Sequence, residues 1–460
     1  MTERAPHFGR HPLAYAPLKL CLAYLATTMT IAFLGPIEYY QFPIRKTFVF
    51  MVAVMIAIYV GFSAGVHARI RTSKTISRKD VSFFEGLFQV SLAVSIITLL
   101  GSIIQGIMQG TLNTDVSSIG NAYISSYAYL DDGVRNSGSY SLSFIVFTFT
   151  YPFSFIAFVM GFYYLNKMSS AEKLFFIAYV CLYILYYVIG SGKMKYLGDI
   201  MIYAIAVIAI KHGAKGRSLD WKIISSSAVA LIGGGIALLA VLGQRYAALG
   251  FTAANANVRT NALIHFDLQH PIFKLFGETT GLNMALLLSY VSQGYYGLGL
   301  GLETDWEWTK FEGFSYSISV LCNRILGLDW VWPHTLVSQV GINWGWDDSK
   351  WHTVFTHFAT DFTFPGTVVL FGWFAYIYAR VWVKAITFHN PSAVLMFVML
   401  TIGMFFMPAN NQLLQAPSGL LLVIIIATIY LRYDRRLNAG APSTMSKHSD
   451  PSDAKHIVLA

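Results

Sequence analysis

The residue types best suited to proton transfer collect at the entrance to one apolar segment. In the stretch WHTVFTHFATDFTFPG, residues 351–366, His352, His357 and Asp361 follow one another at spacings of five and four. If this stretch is helical, His357 and Asp361 share one face, where the carboxylate would orient the imidazole and raise its basicity. Such a pair suits a general base that removes a proton from a hydroxyl group. We take His357 or His352 as the candidate base, with Asp361 as its partner.

Two other interpretations of these three residues stay open. They could be polar residues at a helix entry with a purely structural role, or they could be ligands of a zinc ion. The sequence contains neither an HExxH motif nor paired cysteines, so we predict no metal and no other cofactor.

Cationic side chains stand at the ends of other apolar segments and form a second set of candidates. Lys193 lies in the link GSGKMKYLGDI, Arg245 follows an apolar run, and Arg324 lies in a long polar region. Such charges neutralise phosphate or pyrophosphate, and the planar fork of arginine binds phosphate in a bidentate manner. The alternatives are that Lys193 and Arg245 snorkel to a membrane surface and that Arg324 pairs with nearby acids.

Tryptophan is concentrated in one region, residues 246–361, which holds seven of the ten in the chain and ten of the 23 acidic residues. Flat aromatic faces beside carboxylates suit sugars, because a pyranose ring has an apolar face and a polar rim. The alternative is an aromatic belt at a bilayer surface. The candidates for glycan binding are Trp306, Trp308, Trp330, Trp346 and Trp351.

The elements that must position these residues are membrane-spanning helices. Of the 460 residues, 55% are hydrophobic and only 12% are charged, whereas a soluble domain has about 25% charged residues. Apolar runs of the length that crosses a bilayer recur along the chain and predict an all-α polytopic membrane protein with about ten transmembrane helices. The predicted spans are 18–35, 47–65, 84–107, 142–165, 173–190, 199–211, 222–243, 365–383, 391–409 and 414–431.

The distribution of positive charge predicts the orientation. If the N-terminus is cytoplasmic, alternation places 21 of the 32 Lys and Arg residues on the cytoplasmic side, as the positive-inside rule requires. Both termini are then cytoplasmic. The net charge of +9 follows from this bias and gives no reason to propose a nucleic-acid partner.

The chain is thereby divided into four parts. Seven spans form an N-terminal membrane bundle within 1–245, a large and partly helical external loop covers 246–361, and three spans form a second bundle within 362–432. Residues 433–460 have the composition of a disordered tail. We predict that the apolar segment 281–302 lies on or dips into the outer leaflet, with Tyr290, Tyr295 and Tyr296 at headgroup depth, because a crossing there would invert every later charge.

Three stretches and the overall plan carry a resemblance to a known family. These are the basic turn GSGKMKYLGD, the stretch SYVSQGYYGLGLGLE at 289–303, and WHTVFTHFATDFTFPG at 351–366. Together with many spans and one large loop in the second half, they resemble the bacterial oligosaccharide repeat-unit polymerases, the Wzy-type O-antigen polymerases. The related O-antigen ligases share this outline.

The resemblance implies glycosyl transfer at the periplasmic face of the bacterial inner membrane. A glycan on undecaprenyl pyrophosphate would move to a hydroxyl of an incoming lipid-linked repeat unit, without a cofactor. The implied partners are the lipid-linked glycans, the bilayer, a chain-length regulator and a flippase. The alternatives are ligase-like transfer and a polysaccharide-related transporter, although transport favours charged residues in mid-span and none of the predicted spans is rich in them.

The placement of the tryptophan-rich region is testable by accessibility. In a variant with Cys322→Ser, a cysteine introduced by Trp330→Cys should react with a membrane-impermeant maleimide from the external side, because the loop is predicted to lie there. Lys215→Cys, placed in a predicted cytoplasmic link, is the matched control and should react only after the membrane is opened. Labelling of position 330 only after opening would contradict the orientation.

Overall fold

The computed structural model describes residues 11–68, 78–113, 115, 118–124, 142–216 and 221–438. The predicted tail beyond residue 438 lies outside the described residues. Helices dominate this part of the chain, and one short antiparallel pairing joins two strands, β1 at Ile37–Tyr39 and β2 at Ile264–Phe266.

Sixteen α-helices have both bounds in the described residues, together with one π-helix, and residues 119–124 are helical as well. The first seven are α1 Ala16–Leu34, α2 Ile44–His67, α3 Arg78–Met108, α4 Leu142–Tyr164, α5 Ser170–Ile184, α6 Lys195–Gly213 and α7 Trp221–Ala248, and the π-helix Leu185–Gly190 continues α5. The connecting region contains α8 Ala256–Arg259, α9 Pro271–Phe276, α10 Glu278–Gly301, α11 Tyr316–Leu326, α12 Val331–His334 and α13 Leu336–Trp344. The last three are α14 Val354–Phe388, α15 Pro391–Phe406 and α16 Pro417–Asn438.

The chain is a multi-pass, all-α membrane protein. In the described residues nine helices are long and apolar enough to cross a membrane, and α15 is a shorter apolar helix. These ten helices correspond to the ten apolar runs, so the predicted helical class is confirmed. The largest difference is α14, which begins at Val354, eleven residues before the predicted span. The connection between α7 and α14 is therefore 249–353, and the predicted loop boundary at 361 falls inside a helix.

Contacts between the links, the segments that connect the helices, show which of them lie at the same end of the bundle. Val354 N donates to Met407 O at 3.0 Å, Asn113 N donates to Gly190 O at 3.2 Å, and strand β1 pairs with β2. Tyr123 also lies against Arg245 near the end of α7, so links 35–43, 191–194, 249–353 and 407–416 meet residues 109–113 and 118–124 at one end, which we call the loop end. At the opposite end, Trp382 Nε1 donates to Leu13 O at 3.1 Å.

Helix α10 lies along the loop end, because Asn283 near its beginning packs against Gly243 of α7 and Gly299 near its end packs against Pro43 and Thr47. It is not among the helices apolar enough to span, and it packs against α1, α2, α7, α13 and α14. Tyr295 Oη lies 2.8 Å from Thr28 Oγ1, six residues before the end of α1 or about 9 Å along its axis. Tyr295 and Tyr296 are 0% and 1% exposed, so both side chains pack in the protein interior, and their placement at headgroup depth stays a prediction.

Helices α2 and α14 approach so closely that their contact depends on glycine. A Cβ at Gly61 would lie 1.8 Å from the carbonyl oxygen of Gly372, and one at Gly65 would lie 2.6 Å from that of Tyr376. Small residues four apart allow membrane helices to pack backbone against backbone. This contact fixes α14, which carries His357 near its beginning and follows closely after His352.

We expect Gly61→Ala to lower the free energy of unfolding by about 1–3 kcal/mol, because the added methyl group would force α2 away from α14. Thermal unfolding of the purified protein in detergent would measure the change. Gly101→Ala on α3, where an added Cβ would meet nothing within 4 Å, is the matched control and should leave stability unchanged or slightly raised. Equal stability of the two variants would contradict the packing argument.

Candidate functional site

The candidate histidines lie where a short segment of α14 departs from the membrane-spanning part. The Thr353 side chain caps the helix by accepting from Thr356 N. The helix is then interrupted at Thr363, whose φ of 61° and ψ of 166° are not helical, just before Pro365. Residues 354–362 therefore form a separate short helical piece at the loop end, and His357 and Asp361 both lie on it.

Asp361 anchors a loop and does not orient His357. Its Oδ1 accepts from Thr309 Oγ1 at 2.7 Å and Phe311 N at 3.0 Å, and its Oδ2 accepts from Gly313 N at 3.0 Å and Phe314 N at 2.8 Å. Four donors from residues 309–314 thus surround a carboxylate that is 5% exposed. The predicted pairing of His357 with Asp361 is therefore wrong, because both carboxylate oxygens accept hydrogen bonds from the 309–314 loop. Lys310 and Phe311 of that loop have positive φ, a conformation that these bonds hold in place.

His352 is a buried, neutral imidazole whose tautomer is determined by the backbone. Its Nε2 lies 3.2 Å from the carbonyl oxygen of Asp347, which can only accept, so Nε2 carries the proton. Burial lowers the pKa of His352 to about 4, which keeps the ring uncharged at neutral pH. Its Nδ1 is buried without a hydrogen-bond partner, and a Cβ at Gly297 would lie 2.8 Å from that atom.

His357 is the histidine with the more available ring. Its centroid lies 6.4 Å from that of His352, it is 7% exposed, and it makes no hydrogen bond with a described residue. Its ring nitrogens are therefore not occupied by a described protein group. Among the described residues no three His, Cys, Asp or Glu side chains cluster as a metal site.

Arg245 is held by aromatic side chains at the loop end of α7. Its Nη1 donates to Tyr290 Oη at 3.0 Å, and its guanidinium lies 3.6 Å from the centroid of the Tyr123 ring. No described carboxylate pairs with it, and its Nε is buried without a partner. An arginine in this state retains the capacity to bind an anion, because aromatic faces hold the cation without neutralising it.

The turn that contains Lys193 packs against the same aromatic residue. A Cβ at Gly192 would lie 2.8 Å from Tyr123 Cβ, and Lys193 N donates to Tyr187 O at 2.9 Å. Partial burial lowers the pKa of the Lys193 ammonium group. Arg245 and the turn that contains Lys193 therefore both pack against Tyr123. The third, Arg324, lies on α11, and its side chain lies outside the described part of the chain.

The predicted glycan-binding tryptophans divide into buried and accessible rings. Trp346 is 0% exposed, packs edge-on against Tyr296 at 4.8 Å, and donates to Trp351 O at 3.2 Å. It is a core residue, which corrects its predicted role as a sugar contact. Trp308 is 54% exposed, whereas Trp306, Trp330 and Trp351 are partly buried.

The half-buried tryptophans are also held by polar contacts. Trp306 Nε1 donates to Thr360 O at 2.9 Å, and the ammonium group of Lys310 lies 5.5 Å from the Trp330 ring centroid. These contacts leave part of each ring accessible. Trp306, Trp308, Trp330 and Trp351 therefore remain as the aromatic surface of the loop end.

A continuous set of contacts links the cationic and histidine parts. Tyr123 lies under Arg245, Arg245 donates to Tyr290, and the Tyr290 ring lies 5.7 Å from Trp351, the neighbour of His352. Sequence reasoning missed Tyr123 and the role of Tyr290. The repeated tyrosines of 289–296 are a signal for Tyr290, but Tyr123 lies in a Ser-, Gly- and Asn-rich link that carries no recognisable motif.

Comparison of the chain with family models, curated proteins and solved structures found no match.

We expect Asp361→Asn to lower the free energy of unfolding by about 2–4 kcal/mol, since an amide cannot accept from four donors and leaves buried N–H groups unpaired. Unfolding in detergent would measure the loss. Asp348→Asn, at an exposed position, is the matched control and should change stability little. A stable but inactive Asp361→Asn protein would restore a direct catalytic role to this carboxylate.

Proposed function

We propose that this protein is a membrane glycosyltransferase that polymerises lipid-linked oligosaccharide repeat units. The observation that carries the proposal is Arg245, which lacks a carboxylate partner among the described residues and is joined through Tyr290 and Trp351 to two buried histidines. An uncompensated cation beside a proton acceptor suits transfer from a donor whose leaving group is anionic. The sequence resemblance to repeat-unit polymerases supplies the substrate class, glycans on undecaprenyl pyrophosphate.

The proposed reaction assigns each group one role. The hydroxyl oxygen of the acceptor sugar attacks the anomeric carbon of the donor glycan, and the bond from that carbon to the phosphate oxygen breaks. The pyrophosphate departs with the bonding electron pair, and Arg245 and Lys193 stabilise its charge. The acceptor proton passes to a ring nitrogen of His357, which no described residue occupies. His352 is neutral and therefore places no charge beside His357.

The location of this chemistry follows from the proposed orientation. The loop end faces the periplasm, both termini are cytoplasmic, and the protein lies in the bacterial inner membrane. Trp308, Trp330 and Trp351 offer aromatic faces to the more distant sugars. A flippase would deliver the lipid-linked units to this side, and a chain-length regulator would act on the growing polymer.

The function is tested by deleting the gene and analysing lipid-linked intermediates. Accumulation of single repeat units on undecaprenyl pyrophosphate is expected for a polymerase. Long polymer that is not attached to lipid A would indicate a ligase instead. Absence of lipid-linked units from the periplasmic leaflet would indicate a transporter.

Within the complemented deletion strain, Arg245→Ala should reduce polymer formation by about 10²-fold or more, because the leaving pyrophosphate loses its nearest cation. Silver-stained ladders and the amount of protein in the membrane would be measured together. Lys274→Ala, at an exposed position on α9, is the charge-matched control and should give a normal ladder. A normal ladder in the Arg245→Ala strain would remove this residue from the site.

His357→Ala should reduce the rate by about 10²-fold to 10⁴-fold, the range of general-base contributions. Its ladder and its membrane level would be compared with those of His334→Ala, a partly exposed histidine in the same loop. If polymerisation survives in the His357→Ala strain, the acceptor proton leaves by another route.

A further inference from the structure

A cleft of about 430 Å³ opens between α7 and the first turns of α10, and one of its lining residues, Gln244, directly precedes Arg245 in the sequence. Its polar lining consists of Gln244, Thr252, Thr279 and Asn283, and the rest is apolar, chiefly small side chains with Phe251 and Leu282. Among the described residues no charged side chain belongs to its lining. Clefts that are mostly apolar, with a few polar groups that fix orientation, are typical of small-molecule sites, and this volume lies within their usual range of about 300–1,000 Å³.

Gln244, which lines the cleft, and Arg245, which follows it in α7, have unsatisfied polar atoms of opposite kind. Oε1 of Gln244 is buried and accepts no hydrogen bond from a described residue, and Nε of Arg245 is buried and donates none. The first atom requires a donor such as a hydroxyl group, and the second requires an acceptor such as a phosphate oxygen. A ligand that carries a hydroxyl group next to a phosphate satisfies both.

Asn283 belongs to α10, which forms the other wall of the cleft, and its amide reaches across to α7 at Gly243. A Cβ at Gly243 would lie 2.6 Å from Asn283 Nδ2, so the glycine permits this amide to lie directly against α7. Asn and Gln amides both donate and accept, which suits the hydroxyl groups of an uncharged sugar. The aromatic ring of Phe251 adds a flat apolar face.

The lining residues Ala240, Gly243 and Ala247 lie, at helical spacing, on the face of α7 that is exposed further along the helix. Helix α7 exposes large apolar side chains along its length, with Val229 70%, Ile232 63% and Ile236 62% exposed. In a chain that spans the membrane, such a face contacts lipid. A substrate tethered to the bilayer could therefore approach the loop end of α7 without first entering the aqueous loop.

We infer that this cleft binds the sugar that is linked directly to the phosphate of the donor, so that Gln244 and Asn283 bind its hydroxyl groups while Arg245 binds the phosphate. The inference rests on the proposed function and specifies where the donor is held. The hydrocarbon chain of the lipid is the competing occupant. It is disfavoured because an apolar chain would leave Gln244 Oε1 without a donor.

The occupant can be identified by protection of a cysteine in the cleft. Ala247→Cys would be introduced into the full chain with Cys21, Cys181 and Cys322 replaced by serine, and labelling by a small methanethiosulfonate reagent would be timed in detergent. The probes are the 1-phosphates of glucose, galactose, N-acetylglucosamine and N-acetylgalactosamine. The reference compounds are inorganic phosphate, the four free sugars and farnesyl phosphate.

We expect at least one sugar 1-phosphate to slow labelling by about tenfold, whereas phosphate or sugar alone has a much smaller effect, because only the joined ligand satisfies both unpaired atoms. Adding Arg245→Ala should abolish that protection. Protection by farnesyl phosphate as strong as that by any sugar phosphate would identify a lipid chain as the occupant and overturn the inference. Absence of protection by all the sugar phosphates would also overturn it.

Variants in cells separate this inference from the function itself. Gln244→Leu removes the acceptor at similar volume, and Ala247→Phe fills the cleft. Both should shorten or abolish the polymer at normal protein level, whereas Ala248→Phe, one residue beyond the lining, should not. Normal ladders in the first two strains, beside a defective Arg245→Ala strain, would overturn the cleft proposal and leave the polymerase proposal intact. If deletion of the gene leaves the lipid-linked intermediates unchanged, the polymerase proposal alone is overturned.

Discussion

The candidate site depends on the close backbone approach that glycine allows along helix α10. A Cβ at Gly294 would lie 1.9 Å from Pro408 O, and one at Gly297 would lie 2.8 Å from His352 Nδ1. The helix can therefore pass between the 407–411 turn and the segment that carries His352. Tyr290, two turns earlier on the same helix, binds Arg245. One rigid element thus sets the positions of both the cation and the histidines, although they lie about a hundred residues apart in sequence.

The electrostatic character of the site depends on Arg245, a cation whose charge no described carboxylate neutralises. Four described lysines form ion pairs with described carboxylates, among them Lys46 with Glu303 and Lys195 with Asp199. Arg245 instead meets a ring face and a phenol, which stabilise a cation by amounts small enough for an anion to remain a better partner. Neutral histidines add no competing charge. The arrangement favours a substrate that brings negative charge and a hydroxyl group together.

Sequence reasoning reached the helical elements and the candidate residue types, because apolar runs and lone charges are local signals. It placed ten helices near their observed positions but began α14 eleven residues late, since the polar residues 354–361 interrupt the apolar pattern. The partner of Asp361 was out of reach, because its donors lie about fifty residues earlier in a loop without a motif. The prediction for Trp346 failed because the sequence does not show how a residue is packed. Composition identifies an aromatic residue, but only packing decides whether its ring is available.

The crowding of titratable groups at the start of α14 reflects two separate requirements. A carboxylate at Asp361 holds the 309–314 loop over the helix, and Trp306 Nε1 adds a bond from the same region to Thr360 O. The interruption at Thr363 lets this piece depart from the span, so that its polar groups need not enter hydrocarbon. Among the polar side chains of residues 354–362, only that of His357 lacks a described hydrogen-bond partner. A residue bound by four donors cannot also respond to a substrate, so the proton-accepting role in the proposed reaction falls to the histidine.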